Sequence, residues 1–156
     1  MGPRSEGGFT YLELVATAII LMIVASAVLP VARVSYRRAQ ELELRRNLRQ
    51  MRAAIDQYRS LVAQGRIGGT DLKLGSEGCP PDLETLVKGV NQVGSAGAKL
   101  KFLRRIPVDP MTGTTDWGLR SIQDDPDSTS WGGGNVFDVF SKSQGTALDG
   151  TKYSDW

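Results

Sequence analysis

From Leu14 to Val34 the chain reads LVATAIILMIVASAVLPVARV, with no charged side chain before Arg33. A run of about 20 apolar residues is what a helix needs to span a bilayer, and such a segment is either kept as a membrane helix or removed as a targeting signal. Ahead of it lies a short polar stretch, MGPRSEGG, in which Glu6 offsets Arg4 and two glycines close the sequence. A secretory signal would use Ala25-Ser26-Ala27 as its small-residue cleavage site and release a chain beginning at Val28. Three features oppose that reading. The leading segment is barely basic, the carboxylate of Glu13 stands at the mouth of the apolar run, and apolar residues continue past the supposed cut through Val28, Leu29, Val31 and Val34.

Glu13 is the informative residue. A carboxylate within an apolar span costs on the order of 3 kcal/mol at a helix centre and less near an end, so it calls for a partner. Cleavage between Gly8 and Phe9 would create one, because Phe9 would then carry a cationic amine four residues before Glu13. In a bundle of staggered helices a neighbour's amine could serve equally, and the pairing would set the register between subunits.

The stretch Gly8-Phe9-Thr10-Tyr11-Leu12-Glu13, the apolar run and Pro30 together resemble the class III prepilin signature of type IV pilin-like proteins. The resemblance implies cleavage after Gly8 by a prepilin peptidase, N-methylation of Phe9, a charge pairing of Glu13 during assembly and a helix kink at Pro30. Tyr11 stands where leucine is more frequent. Arg33, Arg37, Arg38, Arg45 and Arg46 follow the span, and the positive-inside rule by itself puts that side in the cytoplasm. The family requires the opposite orientation, which a long translocated domain permits.

Beyond Pro30, the residues Leu44, Leu48, Met51, Ile55, Tyr58 and Leu61 recur every three or four positions, predicting an amphipathic helix to Gln64 that is stopped at Gly65 and faces the core of its own domain. Pro30 removes one helical hydrogen bond, a cause of local bending. Seven arginines between Arg37 and Arg59 lie on this helix, but Glu41, Glu43 and Asp56 interrupt them and no zipper follows. A solvated face, lipid headgroups or salt bridges between subunits account for them better than nucleic acid, which is not an expected partner. The formal charge of the whole chain is only +2, yet the acids collect between Asp109 and Asp155, an asymmetry suited to contacts between head and stalk or between subunits.

Downstream, Gly65 to Gly78 reads as a loop, Pro80-Pro81-Asp82 opens a short helix closed by Lys88-Gly89, and strands are predicted near Thr115–Ile122 and Asn135–Ser141. On the second strand Val136 and Asp138 should face one side and Phe137 and Val139 the other. Between helix and strands, Leu103-Arg104-Arg105-Ile106-Pro107-Val108-Asp109-Pro110 contains two prolines and must be a structured connector. It resembles the Pro-x-Asp-Pro motif of the major pseudopilins of type II secretion, with Met111-Thr112-Gly113 in place of the usual Trp-Gly. With one cysteine and no histidine, an internal disulfide, the common zinc sites and histidine triads are excluded. Cys79 reads as a buried thiol.

In those pseudopilins a C-terminal loop binds calcium. Here Ser141, Ser143, Asp149, Ser154 and Asp155 offer oxygen ligands, and Asp149 and Asp155 are the side chains expected to hold calcium, a cation that takes six to eight oxygens. The alternative is an ordinary Asp-Gly turn at Asp149-Gly150 and a surface acid beside Trp156.

The reading is therefore an α+β chain of the pilin-like type: a leader at 1–8, a transmembrane assembly helix at 9–34, an amphipathic half of the same helix at 35–64 and a periplasmic head of small antiparallel sheet at 65–156. The expected role is that of a structural subunit of a type II secretion pseudopilus in the bacterial inner membrane, not an enzyme. Its implied partners are the prepilin peptidase, other pseudopilin subunits, membrane lipid and an inner-membrane assembly platform with a cytoplasmic ATPase. Alternatives are a surface type IV pilus subunit, a minor pseudopilin, and a membrane-anchored periplasmic enzyme in which Asp109, Asp124 and Asp138 converge. No nucleophile elbow, P-loop, metalloprotease helix or dinucleotide turn is present in the sequence.

Overall fold

The computed structural model describes residues 8–68, 75–94, 97 and 99–156, leaving aside the side chains of 27–30. Most of the leader and the loop residues Thr70 and Asp71 lie outside the described residues. The chain is α+β: one long helix, α1 (Tyr11–Ala63), precedes a short helix, α2 (Leu83–Lys88), and four short strands. Contacts divide it into two units, Met1–Ala39 and Gln40–Trp156.

In the first unit, α1 is apolar and uncovered. Its apolar window has none of its surface buried, and it is the one helix among the described residues long and apolar enough to cross a membrane. Two of its hydroxyls bond back along the helix: Thr17 donates to the Leu14 carbonyl at 2.9 Å and Ser26 to that of Ile23 at 2.7 Å. Such back-bonding would satisfy these side chains in lipid, which offers no partners. Pro30 lies within α1.

The second unit is built on the remainder of α1. Leu44, Leu48, Met51, Ile55 and Tyr58 are buried, as their spacing predicts, and Leu61 packs at the margin of the same core. The helix ends at Ala63 through a Schellman arrangement: Gly65 donates to Val62 O and Arg66 to Leu61 O, both at 2.9 Å. Gly65 takes a φ of +69°, which a side chain would disfavour. Asp82 caps α2, its carboxylate accepting from the Thr85 amide at 2.7 Å.

The strands are shorter than expected. β1 (Val90–Asn91) and β2 (Lys99–Leu100) pair antiparallel with Val90 opposite Leu100, a pairing not among the strands expected from the sequence. β3 (Gly118–Arg120) and β4 (Asp138–Phe140) pair antiparallel with Leu119 opposite Val139. Other acceptors take the amides that would extend this second ladder. Ser121 N–H goes to Asp124 Oδ2, Ile122 N–H to Asn135 Oδ1 and Val136 N–H to Pro80 O. The predicted alternation on the second strand also fails: Val136, Val139 and Phe140 are all buried while Phe137 is exposed. Because the strand begins only at Asp138, no pleat links Val136 to it. Phe140 lies over Gly118, where any Cβ would run into its ring.

Two-stranded sheets this short do not hold themselves in water, so the α1 stripe must supply most of the core. Leu48→Ala should cost about 2–5 kcal/mol, whereas Leu42→Ala on the exposed face of the same helix should change stability by less than about 0.5 kcal/mol. Urea unfolding of the detergent-solubilised chain measures both, and equal effects would contradict this packing.

Candidate functional site

Two regions carry the residues that the sequence singles out. The first is the start of α1. Gly8, Phe9 and Thr10 precede the helix, Phe9 is three-quarters exposed, and among the described residues nothing lies near the position a Gly8 side chain would occupy. The scissile bond expected between Gly8 and Phe9 is thus in an open, non-helical stretch. Thr10 is the helix cap: its hydroxyl accepts from the Glu13 amide at 3.3 Å, and its carbonyl accepts from Leu14 N–H at 3.1 Å. Glu13 therefore stands third in the helix, the acidic position of a Thr-x-x-Glu capping box, where a carboxylate is also favoured by the helix dipole. A Thr-x-x-Glu pattern just ahead of an apolar run is the sequence signal of such a helix start.

The second region is the C-terminal segment, which folds back on α1. Thr146 and Lys152 form an isolated antiparallel bridge, and between them Ala147–Gly150 makes a tight turn with Gly150 N–H on Ala147 O at 3.0 Å. Asp149 Oδ1 accepts from both the amide and the hydroxyl of Thr151, at 3.0 and 2.6 Å, and its Oδ2 accepts from Arg45 Nη2 at 3.1 Å. The Thr151 hydrogen bonds, with Arg45 adding to them, hold the Asp149 carboxyl below the usual carboxylate range. Asp155 lies in a 3-10 turn, Tyr153–Asp155, and accepts from the Ser154 hydroxyl. Ser141 is buried and donates to Asp109 Oδ2 at 2.6 Å. The oxygens expected to gather around calcium are thus committed singly to other partners. A calcium ion at Asp149 would have to displace Arg45 from Oδ2, and among the described residues no group of three or more acids gathers here to supply the charged oxygens such an ion takes, so the donor set as arranged does not fit it.

Several arginines expected on a solvated face turn instead into the head. Arg52 Nε meets Asp138 Oδ1 at 2.6 Å, and its Nη2 donates to Val139 O at 3.1 Å and to Trp156 O at 2.8 Å. Arg45 lies 4.1 Å from the centre of the Trp156 ring and Arg59 5.0 Å from that of Phe137. Glu41, nearly buried, accepts at one oxygen from Leu148 N–H at 2.8 Å and from Tyr153 OH at 3.0 Å. Spacing alone could not reveal these pairings, because every partner lies more than 70 residues away in sequence.

Comparison with known protein families, with curated proteins and with solved structures finds no match to this chain.

The Pro-x-Asp-Pro connector is also held by side chains. Its prolines cannot donate to a ladder, and its carbonyls are taken one by one: Pro107 O by Trp117 Nε1 at 2.9 Å, Val108 O by Asn47 at 3.0 Å and Pro110 O by Gln40 at 3.1 Å. Asp109 is fully buried and accepts from Met111 N–H at 2.8 Å as well as from Ser141. Asp124 accepts from the amides of Ser121 at 2.7 Å and Gly132 at 3.1 Å, and Asp138 pairs with Arg52 and Arg120. The three acids an active site would have to unite are each engaged in a different place. Cys79 is buried, and burial pushes its thiol upward, away from the reactive thiolate.

Asp124 makes a test of this wiring. The Ser121 and Gly132 amides lower its carboxyl from the ordinary value. A depressed folded-state value stabilises the fold fully above the unfolded carboxylate range, and that contribution disappears as pH falls through the folded value. Between about pH 5 and pH 3, the melting temperature of the wild-type chain should fall more steeply than that of Asp124→Asn. Parallel curves would show that the carboxylate does not hold this loop.

Proposed function

We propose that the chain is a structural subunit of a type II secretion pseudopilus: a pilin-like protein cut after Gly8, held in the inner membrane by α1 and then polymerised so that filament growth helps drive protein export. The observation that carries the reading is the junction at the start of α1. An open Gly8-Phe9 bond, a capped helix start, an acid in the first turn and an uncovered apolar helix follow one another within a single stretch.

Each part then has a use. The exposed peptide bond suits a processing peptidase, and the new Phe9 amine, methylated or not, is a cation that can meet Glu13 of the same or a neighbouring subunit. Uncovered apolar residues such as Leu12, Ile20 and Leu21 are covered by lipid before assembly and by neighbouring helices afterwards. Burying them among one another gains packing contact, whereas an unpaired Glu13 in lipid is costly, so the charge pair selects the register in which packing occurs. The subunit does no chemistry on a substrate, and the energy comes from the assembly ATPase.

The connector lends support to the pseudopilin branch. Trp117-Gly118 follows Pro107-Val108-Asp109-Pro110 after a turn of six residues, and the Trp117 indole returns to Pro107 O. A turn at Asp109 held by Ser141 ties this connector to the end of the head sheet, in keeping with a pilin-like head.

Glu13 occupies the third helical position behind the Thr10 cap, where its side chain could also reach back to the helix start, and two variants separate that use from charge pairing. Glu13→Gln keeps a side chain able to cap but removes the charge. The mature chain recovered from membranes should begin at Phe9 by mass, and both Glu13→Ala and Glu13→Gln should be processed normally yet fail to assemble. Normal filaments from Glu13→Gln would reduce Glu13 to a cap. A mature chain beginning at Val28 would remove α1 from the finished protein and the filament reading with it.

A further inference from the structure

The C-terminal loop is closed by a ring of four contacts that already contains a cation. Arg45 Nη2 binds Asp149 Oδ2 at 3.1 Å, Asp149 Oδ1 accepts from the Thr151 hydroxyl at 2.6 Å, Thr151 Oγ1 accepts from Trp156 Nε1 at 2.6 Å, and the Trp156 ring faces the Arg45 guanidinium at 4.1 Å. We propose that the Arg45 guanidinium stands in the place of a metal ion in this loop, so that a side chain of α1 closes the loop and calcium is not required.

Three physical points carry the inference. An ion pair as exposed as Arg45 with Asp149 contributes little alone, but here both partners are also fixed through Thr151 and Trp156, so each contact orients the next. Arginine suits the position because its planar guanidinium can present an N–H edge to a carboxylate and its face to an indole at once, which lysine cannot do. The remaining polar groups of the loop are also served from α1. Arg52 donates to Trp156 O, and Glu41 accepts from Leu148 N–H and Tyr153 OH. A calcium ion would have to evict Arg45 from Asp149, and Arg45 and Arg52 together oppose its approach. The oxygen count a metal loop must assemble is replaced by donors and acceptors from three positions, 41, 45 and 52, that lie along one helix.

The consequence is that closure of the loop follows from folding against α1 and is insensitive to free calcium. The inference concerns only how the loop is held and stands whether or not the chain forms filaments.

The test uses the full chain in detergent micelles, first stripped with EGTA and then given millimolar calcium chloride. The thermal midpoint and the rate of tryptic cleavage after the exposed Lys152 are followed. In the wild-type chain neither should move between the two conditions. Arg45→Met and Asp149→Asn should each speed the cleavage several-fold, and the double variant should be no faster than the faster single one, as for two parts of one contact. Arg46→Met, one position along on the exposed face, should leave the rate unchanged. A wild-type midpoint raised by calcium, or a wild-type cleavage slowed by it, would overturn the proposal. So would Arg45→Met cleaved no faster than wild type. The calcium arm needs no variant, so it decides the matter even if Arg45→Met fails to fold.

Discussion

The second unit depends on the apolar stripe of α1 from Leu44 to Tyr58. Everything else in that unit is too short to hold itself: a six-residue helix, two-residue and three-residue strands, and connecting turns. Such pieces bury little apolar surface individually, and a sheet of two strands is marginal in water. Laid against the buried stripe of one helix, they share a core that also takes in Ile67, Leu86, Leu103, Trp117 and Val139. The polar connections obey the same logic. Gln40, Glu41, Arg45, Asn47 and Arg52 reach from α1 to the connector, the sheet and the C-terminal loop, so the helix provides hydrogen-bond partners as well as apolar surface.

The same helix answers to two environments. Before Val34 it presents apolar residues all round and keeps the Thr17 and Ser26 hydroxyls bonded to its own carbonyls. From Gln40 onward it presents one apolar stripe and places charge beside it. A helix apolar on every side is suited to lipid or to a bundle of equals, whereas a striped one is suited to a domain. On the proposed reading, a chain combining both would exchange lipid for neighbouring helices along the first stretch while the second keeps its own core. The first-turn position of Glu13, with its N–H on Thr10, means that charge pairing would be superimposed on a helix start that is already well formed.

Much of this was legible in the residues. The buried stripe, the stop at Gly65, the capped helix after Pro81 and the antiparallel pair near Leu119 and Val139 all follow from local periodicity and turn chemistry, which act over a few positions. What was not legible depends on partners distant in sequence. The strands shrink because Asp124, Asn135 and Pro80 take amides that a longer ladder would have used. The arginines of α1 look solvated by spacing, and only the folded chain brings Asp138, Asp149 and Trp156 to them. The C-terminal loop is of the same kind: Asp149 reads from the sequence as a cation ligand, and only the folded chain places Arg45 opposite it.

Native-state hydrogen exchange on the full chain in lipid nanodiscs, read residue by residue, tests most directly whether the head depends on α1. The account predicts that the amides from Leu44 to Tyr58 and those of the Gly118–Arg120 and Asp138–Phe140 pair open together with a common free energy, because neither set has a core without the other. It also predicts a separate block of protection over the apolar run before Val34. Strand amides that stay protected while those from Leu44 to Tyr58 exchange freely would show a head that stands alone, and the account of α1 as its backing would be wrong.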